Sequence, residues 1–335
     1  MEDKLKAKRK WTRVVSSFST YLITLFLLIS AIFFLLRLSP GNPTLKYLSP
    51  QFNPQLYETV KNNYGLDKSI GEQYLKFLAN IAQGDLGISY TYREPVQSII
   101  LEKAPFTMLL AIISFVLQIS VSVGLVLYFH KQREKWFERV LNKISLIMYA
   151  MPTMVVGIGS IFIFSIVLKI FPIADVVSTN YDELNFLQKI FDLVKHLTLP
   201  IITLSLPGII IFYNYIRENV EATEKQTFIK FLLANGFEKE IIFKKHVLPN
   251  SINPLISILG TELGILLGGA IITESLFGLP GLGRLTVTAI LERDYPLVVG
   301  CVLFSGFFVL LANFAADLYK IKRDIQLNQS INVSA

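Results

Sequence analysis

Long apolar stretches separated by polar segments dominate the pattern of this chain. A helix needs roughly 20 apolar residues to cross a hydrocarbon core of about 30 Å, and six stretches approach or reach that length. They are residues 18–36, 106–129, 144–168, 197–213, 255–277 and 297–318. The fourth is short and contains Pro200 and Pro207, which neighbouring helices can accommodate inside a membrane. The pattern predicts an all-α membrane protein with six transmembrane helices.

The distribution of lysine and arginine predicts how these helices are oriented. Alternate connecting segments lie on the same side of a membrane. One set of alternate segments holds 20 of the 32 basic residues, namely 1–16, 131–143, 216–250 and the tail from residue 320. The other set is longer in total but holds fewer basic residues. The positive-inside rule then places both termini in the cytoplasm, which requires an even number of spans. The first apolar stretch is too long for a signal-peptide core and lacks a small-residue cleavage site, so we expect an uncleaved span.

The composition agrees with a membrane protein and excludes several other classes. Of the 335 residues, 52% are hydrophobic and 17% are charged, with a mean hydropathy of +0.51, whereas soluble domains carry about 25% charged residues. A disordered or collagen-like chain is excluded, and an ordinary cytosolic enzyme is disfavoured. The net charge of +7 does not indicate nucleic-acid binding, since the basic residues lie between the apolar stretches. Cys301 is the only cysteine, which excludes an internal disulfide and a multi-cysteine metal site.

The pattern divides the chain into four parts. Residues 1–37 are a cytoplasmic N-terminus with the first helix, residues 38–104 an extracytoplasmic segment, residues 105–320 the other five helices, and residues 321–335 a cytoplasmic tail. The extracytoplasmic segment is predicted to form a small structured cap, because an apolar stripe with helical spacing is punctuated there by turns. The stripe consists of Tyr74, Phe77, Leu78 and Ile81.

The longest inner loop, residues 216–250, combines charged and apolar side chains. The pattern predicts a helix over 221–234, with Gly236 where a C-cap glycine belongs, and a short helix over 238–247 that leads to Leu248 and Pro249. One face of the first helix is predicted to carry Phe228, Phe231, Leu232 and Asn235. These side chains either pack on the protein's own helices or the lipid interface, or they dock a partner.

The motifs of common catalytic sites are missing from the sequence. There is no G-x-x-x-x-G-K-[ST] sequence, so the chain does not bind ATP through a P-loop. The glycine-rich residues 278–284 have a different spacing and no lysine. Neither H-E-x-x-H nor G-x-S-x-G occurs, and the three histidines lie near membrane boundaries without a paired partner in the sequence. We therefore expect no catalytic site and no metal site.

A few ionisable and polar residues fall inside the predicted spans. Glu262, Glu274 and Asp317 must face a bundle interior or water, because a charge facing lipid is costly. Glu274 is predicted either to pair with a positive group such as Arg284 or to act in a gate or cavity. Asn313 and Asp317 are four residues apart on one helix face and are expected to pack helices.

A set of short motifs carries a resemblance to a known family. Residues 36–43 are similar to an L-L-R-L-x-P-G-D-P signature, and residues 64–67, 73–74 and 84–89 follow in the expected order. Further matches are Met151-Pro152, Gly268-Gly269-Ala270, Glu274, Phe277, Pro280 to Arg284, Arg293 to Pro296, Asn313, Asp317 and Tyr319. Together they resemble the permease subunits of bacterial ABC importers, in the dipeptide, oligopeptide and nickel branch.

The resemblance implies a fold and a set of functional residues. The fold would be the type I ABC importer (MetI-like) transmembrane domain, with an outer segment between helices 1 and 2. The inner loop would be the ATPase coupling loop, with its contacts at Phe228, Phe231, Leu232, Ala234, Gly236, Leu248 and Pro249. The outer loop would form a gate or a seat for a solute-binding protein, through Glu274, Phe277, Pro280, Gly281, Gly283 and Arg284. The chain departs from the family at Lys230-Phe231-Leu232, where E-A-A is usual, at His246 instead of isoleucine, and at Asp324-Ile325 in the tail.

The implied function is that of an importer subunit in the bacterial inner membrane. The chain would form half of a translocation pathway for di- or oligopeptides, and nickel or a metal chelate is the alternative cargo. Its partners would be a second permease, two cytoplasmic ATPases that bind the ATP, an extracytoplasmic solute-binding protein and membrane lipid, but no nucleic acid and no cofactor of its own. A secondary transporter and a membrane enzyme are the rival classes, although no internal repeat and no catalytic cluster is visible in the sequence.

Overall fold

The computed structural model describes residues 2–38, 68–130 and 151–333, and within them the chain is helical apart from short connections and one isolated β-bridge between Ile88 and Pro95. Several predicted features lie outside the described residues. They are the motifs at 39–43 and 64–67, the basic loop 131–143, and the start of the third span at 144–150.

Eleven α-helices follow one another in the described residues. They are α1 (Glu2–Leu38), α2 (Ile70–Ala82), α3 (Val96–His130), α4 (Thr153–Ser160), α5 (Phe186–Glu224), α6 (Thr227–Ala234), α7 (Lys239–Ile242), α8 (Leu248–Ile252), α9 (Ile256–Leu276), α10 (Leu282–Leu291) and α11 (Tyr295–Val333). Two π-helical segments occur among them, Ile161–Val167 directly after α4 and Phe243–Val247 between α7 and α8. Two 3₁₀ turns, Tyr181–Glu183 and Asn253–Leu255, precede α5 and α9.

Five of these helices are long and apolar enough to cross a membrane. They are parts or all of α1, α3, α5, α9 and α11. The helical stretch Thr153–Val167, which is the described part of the predicted third span, is apolar and shorter. The all-α membrane fold predicted from the sequence is confirmed, and six spans are consistent with it.

The fourth span is much longer than its apolar stretch. Residues 197–213 predict a short helix, but α5 covers 39 residues and contains Pro200 and Pro207. Each proline removes only one backbone donor, and the other rungs of the helical ladder continue past it. At the outer end Asn185 and Gln188 cap the helix reciprocally, each side chain accepting from the other residue's backbone N–H.

The structured cap predicted within residues 38–104 is present as the helix α2; its side of the membrane stays a prediction. Ser69 and Glu72 form a capping box at its start. The apolar stripe faces the membrane helices: the Tyr74 and Ser30 hydroxyls are 2.6 Å apart, and the Phe77 ring lies 5.3 Å from the Phe33 ring. Ile81 packs beside them against α1 and α11. The cap is therefore a docked helix, as its pattern indicates.

Besides the cluster of α1, α2 and α11, the membrane helices pack around three further apolar clusters. The inner cluster joins the inner ends of α3 and α5 to α6 and the segment that follows it. A second cluster joins α3, α10 and α11, and a third joins α3, α5 and α9 with the residues after α9. Because α3 contributes to all three, it is the common support for both the inner loop and the outer turn.

Candidate functional site

The inner loop begins with a change of direction at Lys225 and Gln226. The sequence predicts one helix over 221–234, but α5 continues through Glu224 and a separate helix, α6, starts at Thr227. Gln226 has extended backbone, with φ −69° and ψ 148°, which interrupts the helical path. The predicted helix therefore exists only from Thr227, and its first turn belongs to the membrane helix.

The end of α6 is a glycine-dependent cap. Gly236 has φ +82°, in the left-handed region that favours glycine. Its N–H donates to the carbonyl of Leu233 at 3.1 Å, and the N–H of Phe237 donates to that of Leu232 at 3.3 Å. This pair of bonds is a Schellman motif, which confirms Gly236 as the cap glycine.

The loop on both sides of this cap is anchored to the membrane helices through buried side chains. We define the inner segment as residues 225–255. Ile229, Ile242, Phe243 and Val247 are buried in the inner cluster together with side chains of α3 and α5. Ser251 adds a hydroxyl bond to Thr223 Oγ1 at 3.3 Å. The segment is thus fixed to both helices, and it runs on through helical turns into α9.

The opposite side of the inner segment presents large apolar side chains to solvent. We define the apolar ridge as Phe228, Phe231, Phe237 and Ile241. Phe231 is 67% exposed and Phe237 is 52% exposed. Exposed aromatic side chains of this size, presented by a fixed backbone, are typical of a helix that inserts into a groove of a partner.

The ridge differs from the face predicted from the sequence. Leu232 turns inward and packs on the inner cluster, as does Leu248, whereas Ala234 and Pro249 are exposed. Phe237 and Ile241 were not predicted. Ile229 is the buried residue of α6, so the exposed face is the one opposite to it. The sequence carries no signal for this choice, because apolar residues occur on both faces of the helix.

The outer turn, residues 277–284, is organised by the buried carboxylate of Glu274. Its Oε1 accepts from the Thr107 hydroxyl at 2.6 Å, and its Oε2 accepts from the backbone N–H groups of Gly283 at 2.7 Å and Arg284 at 3.1 Å. Thr107 Oγ1 in turn accepts from the N–H of Leu282 at 2.7 Å. The first three N–H groups of α10 are therefore satisfied, and a carboxylate lies at the positive end of that helix.

Two glycines allow this close approach. A Cβ atom on Gly281 would overlap the Glu274 carboxylate, and one on Gly283 would lie 2.5 Å from the Ile271 Cα atom. Phe277 and Leu279 are buried beneath the turn in the third apolar cluster, and Pro280 is exposed. The turn is consequently a closed, packed structure at the outer end of α9.

The predicted pairing of the Glu274 carboxylate with a positive side chain such as Arg284 is wrong, although the two residues are in contact. Arg284 contacts Glu274 through its backbone N–H, while its guanidinium donates to the carbonyl of Gly278. The charge that the carboxylate meets is the partial positive charge of a helix end and not the side chain. Spacing alone cannot show which donors a buried carboxylate will take.

A second buried carboxylate, Asp294, joins the outer cap to α11. Its Oδ2 accepts from the Ser89 hydroxyl at 2.5 Å and from the Thr91 N–H at 2.9 Å, and its Oδ1 accepts from the Leu297 N–H at 3.3 Å. Asp294 is therefore the N-cap of α11 and a tether for the segment before α3. From the sequence, Asp294 is named only within the motif Arg293 to Pro296 and is given no role, although an aspartate two residues before Pro296 is a helix-start signal.

The second outer segment is also tied to the outer turn. The Asp175 N–H donates to the Phe277 carbonyl at 2.9 Å. Farther along, Ser178 donates from its hydroxyl and its N–H to the Asp192 carboxylate at 2.5 and 2.8 Å, and His196 Nδ1 lies 3.6 Å from the same carboxylate. The described parts of the outer segments thus converge on residues 277–297.

The remaining polar residues of the spans join pairs of helices. The Glu262 carboxylate of α9 is buried near the Gln118 side chain of α3. Asn313 accepts from Thr261 at 3.3 Å, and Asp317 accepts from the Tyr21 hydroxyl at 2.8 Å. Asn313 and Asp317 therefore contact different helices, α9 and α1. No group of three or more His, Cys, Asp or Glu that could hold a metal ion occurs within 2–38, 68–130 and 151–333.

The amino-acid sequence matches two family descriptions over most of its length. Residues 120–320 match "Binding-protein-dependent transport system inner membrane component", and residues 12–111 match "Binding-prot-dependent transport system membrane comp, N-term". The chain is also similar to the nickel import system permease protein NikB of Staphylococcus aureus. The proteins of strain USA300 and of the bovine strain RF122 are each 30% identical to it over 306 residues, which is 90% of this chain and 88% of theirs.

Proposed function

Because this chain belongs to the family of binding-protein-dependent transport system inner membrane components, we propose that it forms half of a pathway energised by separate ATPases. It is a multi-pass inner membrane permease of the ABC importers, in the dipeptide, oligopeptide and nickel branch. In this proposal a second permease completes the pathway and an extracytoplasmic solute-binding protein delivers the cargo. ATP is bound by the ATPases, the chain has no cofactor, and both of its termini are cytoplasmic.

The observation that carries the proposal is the apolar ridge on its anchored segment. An exposed aromatic surface on a fixed helical segment can both bind a groove and transmit force, because the buried side chains behind it move with α3 and α5. Phe231 faces outward on α6 while Ile229, two residues earlier, is buried in the inner cluster. The ridge would sit in a groove of the ATPase.

The mechanism is alternating access between two states of the permease pair. ATP binding brings the two ATPases together, and their grooves carry the two inner segments with them. The permeases then pass from an inward-open to an outward-open state, because the ATPase pair binds these states with different affinity. The outer turn would close or open the extracytoplasmic end, since it is the packed structure at which the outer segments meet.

Two cargo classes are proposed, a short peptide and nickel or a nickel chelate. The relatives described as nickel import permeases support the second class. Uptake in cells that carry the complete importer would distinguish them. Labelled dipeptide and radioactive nickel, with and without a chelating amino acid, would be offered in turn, and the cargo is the one whose uptake depends on this chain and on ATP.

The docking role is tested by a variant of the ridge with a matched control. Phe231→Ser removes an aromatic side chain that is 67% exposed on α6, and Phe191→Ser removes one that is 70% exposed at the outer end of α5. Burying a phenylalanine is worth about 1.5–3 kcal/mol, so the exposed part of Phe231 can contribute about 1–2 kcal/mol to docking. Binding of purified ATPase should weaken about 5- to 30-fold in the first variant.

The control decides between docking and a general effect of serine. ATPase binding should be unchanged in Phe191→Ser. Equal binding in both variants and in the wild-type complex would contradict the docking role of the ridge, while leaving membership of the family untouched.

A further inference from the structure

A pocket with two chemically different walls lies at the inner end of α3. Its volume is about 300 Å³. The lining residues are Leu127, His130, Lys239, Glu240, Phe243 and Lys244. The first two belong to the last turn of a membrane helix, and the other four belong to the inner segment. The pocket therefore spans the boundary between the apolar and the aqueous parts of the molecule.

The α3 wall continues an apolar surface that faces away from the protein. Leu127 is exposed, and so are Ile113 and Val116 on the same helix. Tyr128, next to Leu127, is also exposed, and tyrosine is enriched where a membrane helix reaches the interface. A hydrocarbon chain lying along this surface would end at the pocket.

The opposite wall is basic. Lys239 and Lys244 bring two ammonium groups, and the Glu240 carboxylate is already engaged by Lys244 Nζ at 2.9 Å. The His130 ring forms part of the floor, stacked on the Phe243 ring at 3.3 Å between centroids, with Nδ1 3.7 Å from the Glu224 carboxylate. The lysines therefore outnumber the acidic lining residue, which favours an anion over a cation.

We propose that this pocket binds the phosphate headgroup of an anionic phospholipid, with the acyl chains along the exposed face of α3. Basic pockets between membrane helices at the cytoplasmic side bind acidic lipid headgroups. A lipid bound there would contact α3 and the inner segment at once. The apolar wall at Leu127 favours a lipid over free phosphate, because inorganic phosphate has no apolar surface that could pack against it.

The site is tested with the full-length chain purified in detergent. Dioctanoyl phosphatidylglycerol, dioctanoyl phosphatidylcholine and inorganic phosphate would be titrated separately, with bound molecules counted by native mass spectrometry. We expect saturable binding of phosphatidylglycerol and much weaker binding of the other two. Each lysine contributes about 5-fold to such binding, so Lys239→Gln with Lys244→Gln should weaken it about 30-fold.

Two further variants make the result specific to the pocket. Lys225→Gln with Lys230→Gln removes the same charge from exposed positions of the same loop that do not line the pocket, and should leave binding unchanged. Leu127→Trp keeps both lysines and obstructs the apolar wall, so it should weaken phosphatidylglycerol binding and leave phosphate binding unchanged.

Three outcomes would overturn the proposal. Equal losses in the two double-lysine variants would mean attraction by overall charge and not a site. Displacement of the lipid by phosphate at equal concentration would mean a site for free anions. Equal binding of phosphatidylcholine would mean that the lysines do not select the headgroup. None of these outcomes depends on the orientation or on the transport function proposed above.

Discussion

Removal of the Glu274 carboxylate should open the outer turn without unfolding the helices around it. Glu274→Ala leaves the Thr107 hydroxyl and the N–H groups of Gly283 and Arg284 without their acceptor. The turn depends on these hydrogen bonds because its glycines place the backbone in direct contact with the carboxylate. An alanine side chain cannot accept any of these hydrogen bonds.

The expected cost follows from the burial of the donors. A buried donor left without a partner costs about 1–3 kcal/mol. The Thr107 and Gly283 donors are buried, the Arg284 donor only partly, and desolvation of the charged carboxylate is relieved in the variant. A net cost of about 3 kcal/mol corresponds to a roughly 100-fold larger open fraction of the turn. Thr107→Val removes one donor and one acceptor and should increase the open fraction of the turn about 10-fold.

Cysteine labelling measures this opening directly. Leu279 is fully buried under the turn, so a Leu279→Cys protein should react slowly with a membrane-impermeant maleimide added outside the cell. The native Cys301 is buried and supplies a low background. In the Glu274→Ala background the labelling rate should rise about 100-fold.

The control is the other carboxylate of α9. Glu262 is buried as well, but it lies near Gln118 on α3, and none of the hydrogen bonds described for the outer turn involves it. Glu262→Ala should therefore leave the labelling of Leu279→Cys unchanged. If Glu274→Ala labels at the parent rate, the carboxylate does not hold the turn closed and the reasoning fails.

Three other changes test separate parts of the structure. Gly236→Ala should lower the free energy of unfolding by about 1–2 kcal/mol in a detergent melt, since φ is +82° there. Gly236→Trp should leave the permease inserted but uncouple ATP hydrolysis from uptake, and wild-type coupling in this variant would contradict the docking role of the loop. Gly281→Val combined with Gly283→Val should impair uptake while ATPase binding persists, and unchanged uptake would remove the role of the turn. Asp294→Ala should speed hydrogen exchange at the Thr91 amide, because the carboxylate accepts from it at 2.9 Å; unaltered protection would mean that another contact holds the cap.

Local rules predict those features whose cause is local. Gly236 could be identified because a left-handed residue after an apolar helical stripe needs glycine, and α2 because its stripe repeats at helical spacing. The length of α5 was missed, since hydropathy ends with the apolar residues whereas the backbone ladder continues into the polar turns on both sides.

The partners of buried charges depend on distant parts of the chain and could not be predicted. Thr107 and Glu274 are 167 residues apart, and Ser89 and Asp294 are 205 residues apart. The ridge shows the same limit, because the side of α6 that faces solvent is decided by the burial of Ile229 against α3 and α5. Spacing within one helix fixes which residues share a face but not which face is covered.

The length of α5 has a mechanical consequence. Thirty-nine residues make a rod of about 58 Å, nearly twice the roughly 30 Å hydrocarbon thickness, with Pro200 and Pro207 close to its midpoint. Near one end of α5 the Asp192 side chain accepts a hydrogen bond from Ser178, and the other end leads into α6. If α5 tilts as a rigid body about a point near the prolines, its two ends move in opposite directions by similar distances. A displacement of α6 would then move the Asp192 end of the helix by a similar amount.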